Sequence, residues 1–164
     1  WAVAKELLKH ERKMMSAFEG MLEKPAMDLL ELADYAVGSD GHGRLNDAEL
    51  RIDMSRHLMR ETALSQLGER IYWQGKAKQS DPRLPLLMKH LGTSEAQAKD
   101  ELILRALGNE GLSMQDPNIS PGLRKMVKRW AFNKSLTIAG GTSEVQLNII
   151  AKRALGMPSG EGKS

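Results

Sequence analysis

Glu11 is the residue in this chain best placed to do acid–base chemistry. At about 100° per residue, Ala4, Leu7, Leu8, Met14, Met15, Phe18 and Leu22 share one helical face, and Glu11 falls at its centre. A carboxylate on an apolar stripe costs several kcal/mol unless it is paired, protonated or lining a cavity. One reading is a structural ion pair with an arginine from a neighbouring helix. The other is a desolvated carboxylate with a raised pKa, suited to taking a proton. A second feature lies near the other end of the chain, Ile138-Ala139-Gly140-Gly141-Thr142-Ser143-Glu144-Val145-Gln146. Two glycines set a tight turn, and Ser143 and Gln146 have capping-box spacing for a helix that stops at Gly156-Met157-Pro158. A glycine turn feeding a helix N-terminus can present backbone N–H groups to an anion or a carbonyl.

Other residue types offer less. The four histidines, His10, His42, His57 and His90, lack metal-ligand spacing and read as isolated surface or boundary residues. Arg124, Lys125, Lys128 and Arg129 form a basic face, read first as solvated and second as a phosphate contact. Aromatics are too scarce beside it for a nucleic-acid platform. The ten methionines read as adaptable core filler.

The elements that must carry these residues all read as helix. The first runs from Trp1 to Leu22 and ends near Pro25. A shorter apolar segment spans Ala26 to Val37, and Gly38 to Gly43 is a loop by composition. Asn46 or Asp47 caps a long helix to about Gly75, with Leu50, Met54, Leu58, Leu67 and Ile71 as core candidates. After the break at Ser80-Asp81-Pro82, Leu84, Met88, Leu91, Ala98, Leu102 and Ala106 recur at three- and four-residue steps. Gly108 to Gly122 reads as a connecting loop. Leu123, Met126, Val127, Trp130 and Ala131 mark a further helix ending at the Gly140-Gly141 turn. No period-2 run and no internal repeat occurs. The expected fold is all-α, an up-down four-helix-type bundle with a short C-terminal helix.

The string from Ile138 through Ile149-Ile150-Ala151-Lys152-Arg153 to Pro158 closely resembles the C-terminal signature of acyl-CoA dehydrogenases, flavoenzymes that desaturate acyl-CoA thioesters. Trp1-Ala2-Val3-Ala4-Lys5-Glu6-Leu7-Leu8-Lys9-His10-Glu11-Arg12 resembles the opening of that family's C-terminal helical domain in a divergent bacterial branch. Between Lys13 and Lys134 only the helical pattern is compatible. The resemblance implies that residues 1–164 form the C-terminal helical domain of a longer protein, whose N-terminal helical and middle β-rich domains lie outside this chain. Trp1 in place of Met suggests the same.

The resemblance also implies chemistry. The α-proton leaves to a carboxylate while the β-hydrogen leaves as hydride to the flavin of FAD. Many relatives place that carboxylate just before the Gly-Thr of the signature, where this chain has Gly140. Others place it on the first helix before an arginine, which Glu11-Arg12 matches. Glu11 is therefore the candidate base, and Arg12 and Gly140 are candidate substrate-binding positions. A backbone N–H at Gly140 could donate to the thioester carbonyl. Gly141, Thr142 and Glu144 match positions that approach the flavin in relatives.

Some family features are missing. No Arg-x-x-Phe-Gly string occurs between Phe18 and Gln79. Leu104 to Gly111 is a remnant of a Gln-x-x-Gly-Gly-x-Gly string, and Leu147 stands where arginine is frequent. These departures suit a branch in which some members work as paired unlike subunits. They also suit a subunit that has lost its own flavin site. The competing reading is thus a non-catalytic bundle serving subunit assembly. The expected partners are an acyl-CoA, an electron-transfer flavoprotein or similar acceptor, and further subunits as a homo- or hetero-oligomer. Alone, these residues are expected to hold no FAD.

Composition bounds the rest. A chain of 164 residues can bury a real core. Zero cysteine excludes disulfides and thiolate metal sites and fits a cytoplasmic origin. No apolar run approaches the ~20 residues of a membrane span. A net charge of +3 is mild and would favour an anionic ligand such as a CoA phosphate.

Overall fold

A computed structural model describes residues 27–112 and 118–158, together with 2–4, 6, 7 and 10. Helices account for most of them, and the one β feature among the described residues is an isolated bridge between Ser39 and Leu45. The fold is all-α.

Local sequence explains where each helix starts. Helix α1 (Leu29–Val37) opens on a complete capping box, in which Asp28 accepts from Glu31 N and Glu31 accepts from Asp28 N. Helix α2 (Ala48–Lys76) is capped by Asp47, which accepts from Leu50 N at 2.8 Å. Asn46 instead donates to Val37 O and closes the loop between the two helices. Removing the cap exposes an orphan donor, so Asp47→Ala should cost about 1 kcal/mol in urea unfolding while Asp47→Ser stays near wild type. Equal losses for both variants would exclude capping as the cause.

Helix α3 (Leu84–Leu107) has proline in its first turn and ends at Gly108, whose N–H returns to Leu104 O and Arg105 O. The stretch expected to be a loop, Gly108 to Gly122, includes helix at both of its described ends. A one-turn helix α4 (Asn109–Leu112) follows Gly108, and Ser120 and Pro121 are the N-cap and first residue of α5 (Pro121–Asn133). Proline there starts a helix because it lacks only the N–H that a first turn leaves unpaired anyway. Helix α5 does not run on to the glycine pair. It tightens into a 3₁₀ turn (Lys134–Thr137), and after the glycines α6 (Ser143–Ile149) passes into a π turn (Ile150–Ala154).

Helix α3 is the axis of the bundle and packs on α1, α2 and α5. It runs antiparallel to α2, since Asp53 meets Arg105, His57 meets Glu95, and Gly68 lies beside Met88. It also runs antiparallel to α5, with Gln97 reaching Asn133 and Glu101 reaching Trp130. The core gathers Leu29, Leu32, Leu50, Met54, Leu102, Ile103, Ala106, Leu123, Met126 and Val127. Leu58, Leu67 and Ile71, expected in the core, are only half-buried, and Leu91 is exposed. Among the described residues α2 packs chiefly on α3, which leaves much of its outer length open. No described helix is long and apolar enough to cross a membrane.

Candidate functional site: the glycine turn and its anchors

The chain leaves the 3₁₀ turn with Ala139 N bonded to Ser135 O, then reverses through Gly140 at φ +67° and Gly141 at φ +104°. Both values lie where a side chain is strained. At Gly141 space is also short, because a Cβ would sit 2.9 Å from Gln146 Nε2.

Gln146 is 6% exposed, and its amide donates to Gly140 O at 3.0 Å. The capping role expected of Ser143 and Gln146 therefore falls elsewhere. Thr142 is the N-cap and accepts from Val145 N, while Gln146 turns inward to hold the glycine loop. From α3, Lys89 Nζ donates to Gly141 O at 2.7 Å and to Leu136 O at 3.1 Å. Two turns further along α3, Gln97 Nε2 donates to Asn133 O at 2.9 Å and Thr137 Oγ1 at 3.2 Å. These side chains collect the carbonyls that α5 and the turn would otherwise leave unpaired.

The anchoring fixes what the turn shows to the outside. A trans peptide is planar, so a carbonyl and the next residue's N–H point in opposite directions. With Gly140 O held by Gln146 and Gly141 O held by Lys89, the N–H groups of Gly141 and Thr142 are directed away from those anchors. Neither makes a hydrogen bond to another described residue. The helix end itself is not an anion site. Its own Glu144 carboxylate, held below the usual range by its backbone N–H and the Thr142 hydroxyl, already supplies negative charge there. The turn thus suits a neutral acceptor oxygen better than a phosphate.

A cavity of about 220 Å³ between α2, α3 and α5 is lined by residues including His57, Glu95, Lys99, Arg129 and Asn133. His57 is 2% exposed and pairs through Nδ1 with Glu95 at 3.1 Å, so it is a buried residue and not the surface or boundary histidine the sequence suggested. Asp100, 1% exposed, accepts from Asn133 at 2.6 Å and faces Arg129 at 3.6 Å. Burial pushes its carboxyl above the ordinary value, against the lowering pull of Asn133 and Arg129. The basic face proposed on α5 is divided, since Arg129 points to Asp100 and Arg124 donates to Ile119 O. No metal-binding cluster occurs among the described residues.

Asp100 makes stability depend on pH with a definite sign. A carboxyl whose folded pKa is raised contributes stability below its unfolded pKa of about 3.9, and that contribution is lost as pH rises through the folded value. Wild type should therefore lose ground to Asp100→Asn between about pH 4 and neutrality. Urea midpoints at both ends of that window check it, and a gap that widens in favour of wild type at higher pH would refute it.

The family model for the acyl-CoA dehydrogenase C-terminal domain matches residues 1–155. The chain belongs to the acyl-CoA dehydrogenase family. It is similar to the acyl-CoA dehydrogenase IpdE1 of Mycobacterium tuberculosis, with 27% identity over 164 residues, covering 96% of this chain and 38% of that protein. The chain thus spans well under half the length of this relative. No solved structure matches it.

Of the positions that the acyl-CoA dehydrogenase signature suggests, Gly140, Gly141, Thr142 and Glu144 come together in one anchored turn. Glu11 and Arg12 lie outside the described residues. Sequence reasoning passed over Lys89, Gln97 and Asp100. A signal was there, because Lys89, Thr93, Gln97 and Asp100 recur at four- and three-residue steps on α3, polar residues on one helical face.

Proposed function

We propose that this chain is the C-terminal part of an FAD-dependent acyl-CoA dehydrogenase that introduces an α,β double bond into an acyl-CoA thioester. Glu11 takes the α-proton onto its carboxylate, and Arg12 steadies substrate and base. The Gly140 position lies against the thioester carbonyl, where hydrogen bonding favours the enolate-like charge of the transition state. Gly141, Thr142 and Glu144 border the flavin. When bound, FAD supplies the acceptor for the β-hydrogen and its electron pair. An electron-transfer flavoprotein or similar carrier then removes the electrons, and the protein works as a homo- or hetero-oligomer in the cytoplasm.

The observation that carries this reading is the anchored glycine turn within the family's matched region, with two backbone donors directed away from its anchors. The residues fit a neutral, oxygen-bearing part of a flavin or a thioester, with Glu144 available to accept from a hydroxyl or ring N–H. The test uses the full-length protein. Purified protein should carry flavin absorbance that bleaches on anaerobic addition of an acyl-CoA. Colourless protein that stays empty after incubation with FAD would reject the reading.

The second reading, a bundle serving subunit assembly, is favoured by a different observation. Met59, Tyr72 and Trp73 project from α2 at 73%, 57% and 65% exposure. Large apolar groups on the outer half of the α2–α3 pair suit a protein partner. Flavin content separates the two readings, since an assembly subunit holds none.

A further inference from the structure

Lys89 is a half-buried cation in the first half of α3. Ordering a lysine side chain and partly stripping its ammonium of water is unfavourable. Its return includes two charge-assisted hydrogen bonds to carbonyls from separate places in the chain, Leu136 in the 3₁₀ turn and Gly141 in the glycine pair. Gln146 holds the preceding carbonyl from the opposite side of the sequence. Together they set the two peptide planes that follow Gly140 and Gly141.

We infer that Lys89 is a positioning residue for the reaction: it holds the Gly141 carbonyl so that the Gly141 and Thr142 amides face a neutral acceptor oxygen of the flavin or of the acyl-CoA thioester. This rests on the reading given under Proposed function. Lys89 has a second effect beyond orientation. A cation at the Gly141 oxygen polarises the Gly141–Thr142 peptide, which makes the Thr142 N–H a stronger donor. Glu144 complements it, because its negative charge disfavours a phosphate at the same place and leaves a carbonyl or hydroxyl oxygen as the fitting acceptor. Lys89 touches neither cofactor nor substrate and acts through the turn.

The test compares full-length wild type with Lys89→Met, which keeps length without donors, and Lys89→Arg, which keeps the cation. Each is measured for FAD dissociation constant, KM and kcat with an acyl-CoA, and melting temperature. Loss of a charge-assisted anchor should weaken one binding constant by about tenfold in Lys89→Met. The shift appears in the FAD constant if the acceptor oxygen is on the flavin, and in KM if it is on the thioester. Lys89→Arg should recover wild-type binding to within about threefold. Should Lys89→Met not fold, Lys89→Gln carries the test with a smaller expected shift of about threefold. Binding constants unchanged in a folded variant overturn the inference, as does a loss that Lys89→Arg fails to restore. A wild-type protein that takes up no flavin fails before any variant is made, and removes the functional reading and this inference together.

Discussion

In the full-length protein, Glu11→Gln should slow the reductive half-reaction by at least ~10²-fold, the lower scale for loss of a positioned base. Glutamine keeps the size and much of the hydrogen bonding of glutamate but has no site that accepts the α-proton. Flavin and acyl-CoA should still bind, so the loss falls on kcat and not on either binding constant. Glycine at position 140 makes Glu11 the stronger candidate, since Gly140 has no side chain to act as the base. The alternative role predicts a different pattern. A Glu11 engaged in a buried structural pair would cost ~3–5 kcal/mol of stability when neutralised, with flavin reduction per folded molecule near wild type. Stopped-flow bleaching beside a melting curve separates the two. Unchanged bleaching removes Glu11 from the mechanism.

The sequence carried the helix positions further than the contents of the core. Asp47, the Pro82 break and the glycine pair marked boundaries because capping and backbone restriction act within a few residues. Leu50, Met54, Leu102, Ala106, Leu123, Met126 and Val127 were legible from their spacing. The same spacing on α2 also nominated Leu58, Leu67 and Ile71, which are half-buried. Periodicity shows which face of a helix is apolar and not whether another element covers it. Ser120-Pro121 reads as loop in the sequence because proline is common both just past a helix end and at the first position of a helix, where it starts α5 here.

The site was legible in part for the same reason. Local spacing marked a glycine turn entering a helix, and the family resemblance alone singled out Thr142 and Glu144 beside it. Gln146 was assigned a capping role that its side chain does not fill, since a side chain four residues into a helix can turn back to an earlier carbonyl. Lys89 is 52 residues from Gly141 in sequence, and no local rule pairs a helix lysine with a particular distant carbonyl. The polar face of α3 was visible in sequence, but its partners were not.

Gly141→Ala should destabilise the protein by about 3 kcal/mol, from two separable causes. At φ +104° an L side chain is strained by roughly 1–2 kcal/mol. The new Cβ would also lie 2.9 Å from Gln146 Nε2. That amide sits at the end of a flexible side chain and can move, but only by giving up its bond to the Gly140 carbonyl, which leaves buried polar groups unpaired at a cost of about 1–3 kcal/mol. Gly43 is the control. Its φ is +73° and nothing lies within 4 Å of its added Cβ, so Gly43→Ala should cost only the backbone strain, about 1 kcal/mol. The contact contribution follows from a double-mutant cycle. In a Gln146→Leu background the amide is gone, and Gly141→Ala should cost about 1 kcal/mol less than in wild type. Urea unfolding of the four proteins in the cycle, with Gly43→Ala beside them, measures all of these terms. Equal losses at Gly141 and Gly43, or additive costs in the cycle, would mean that Gln146 does not hold this turn.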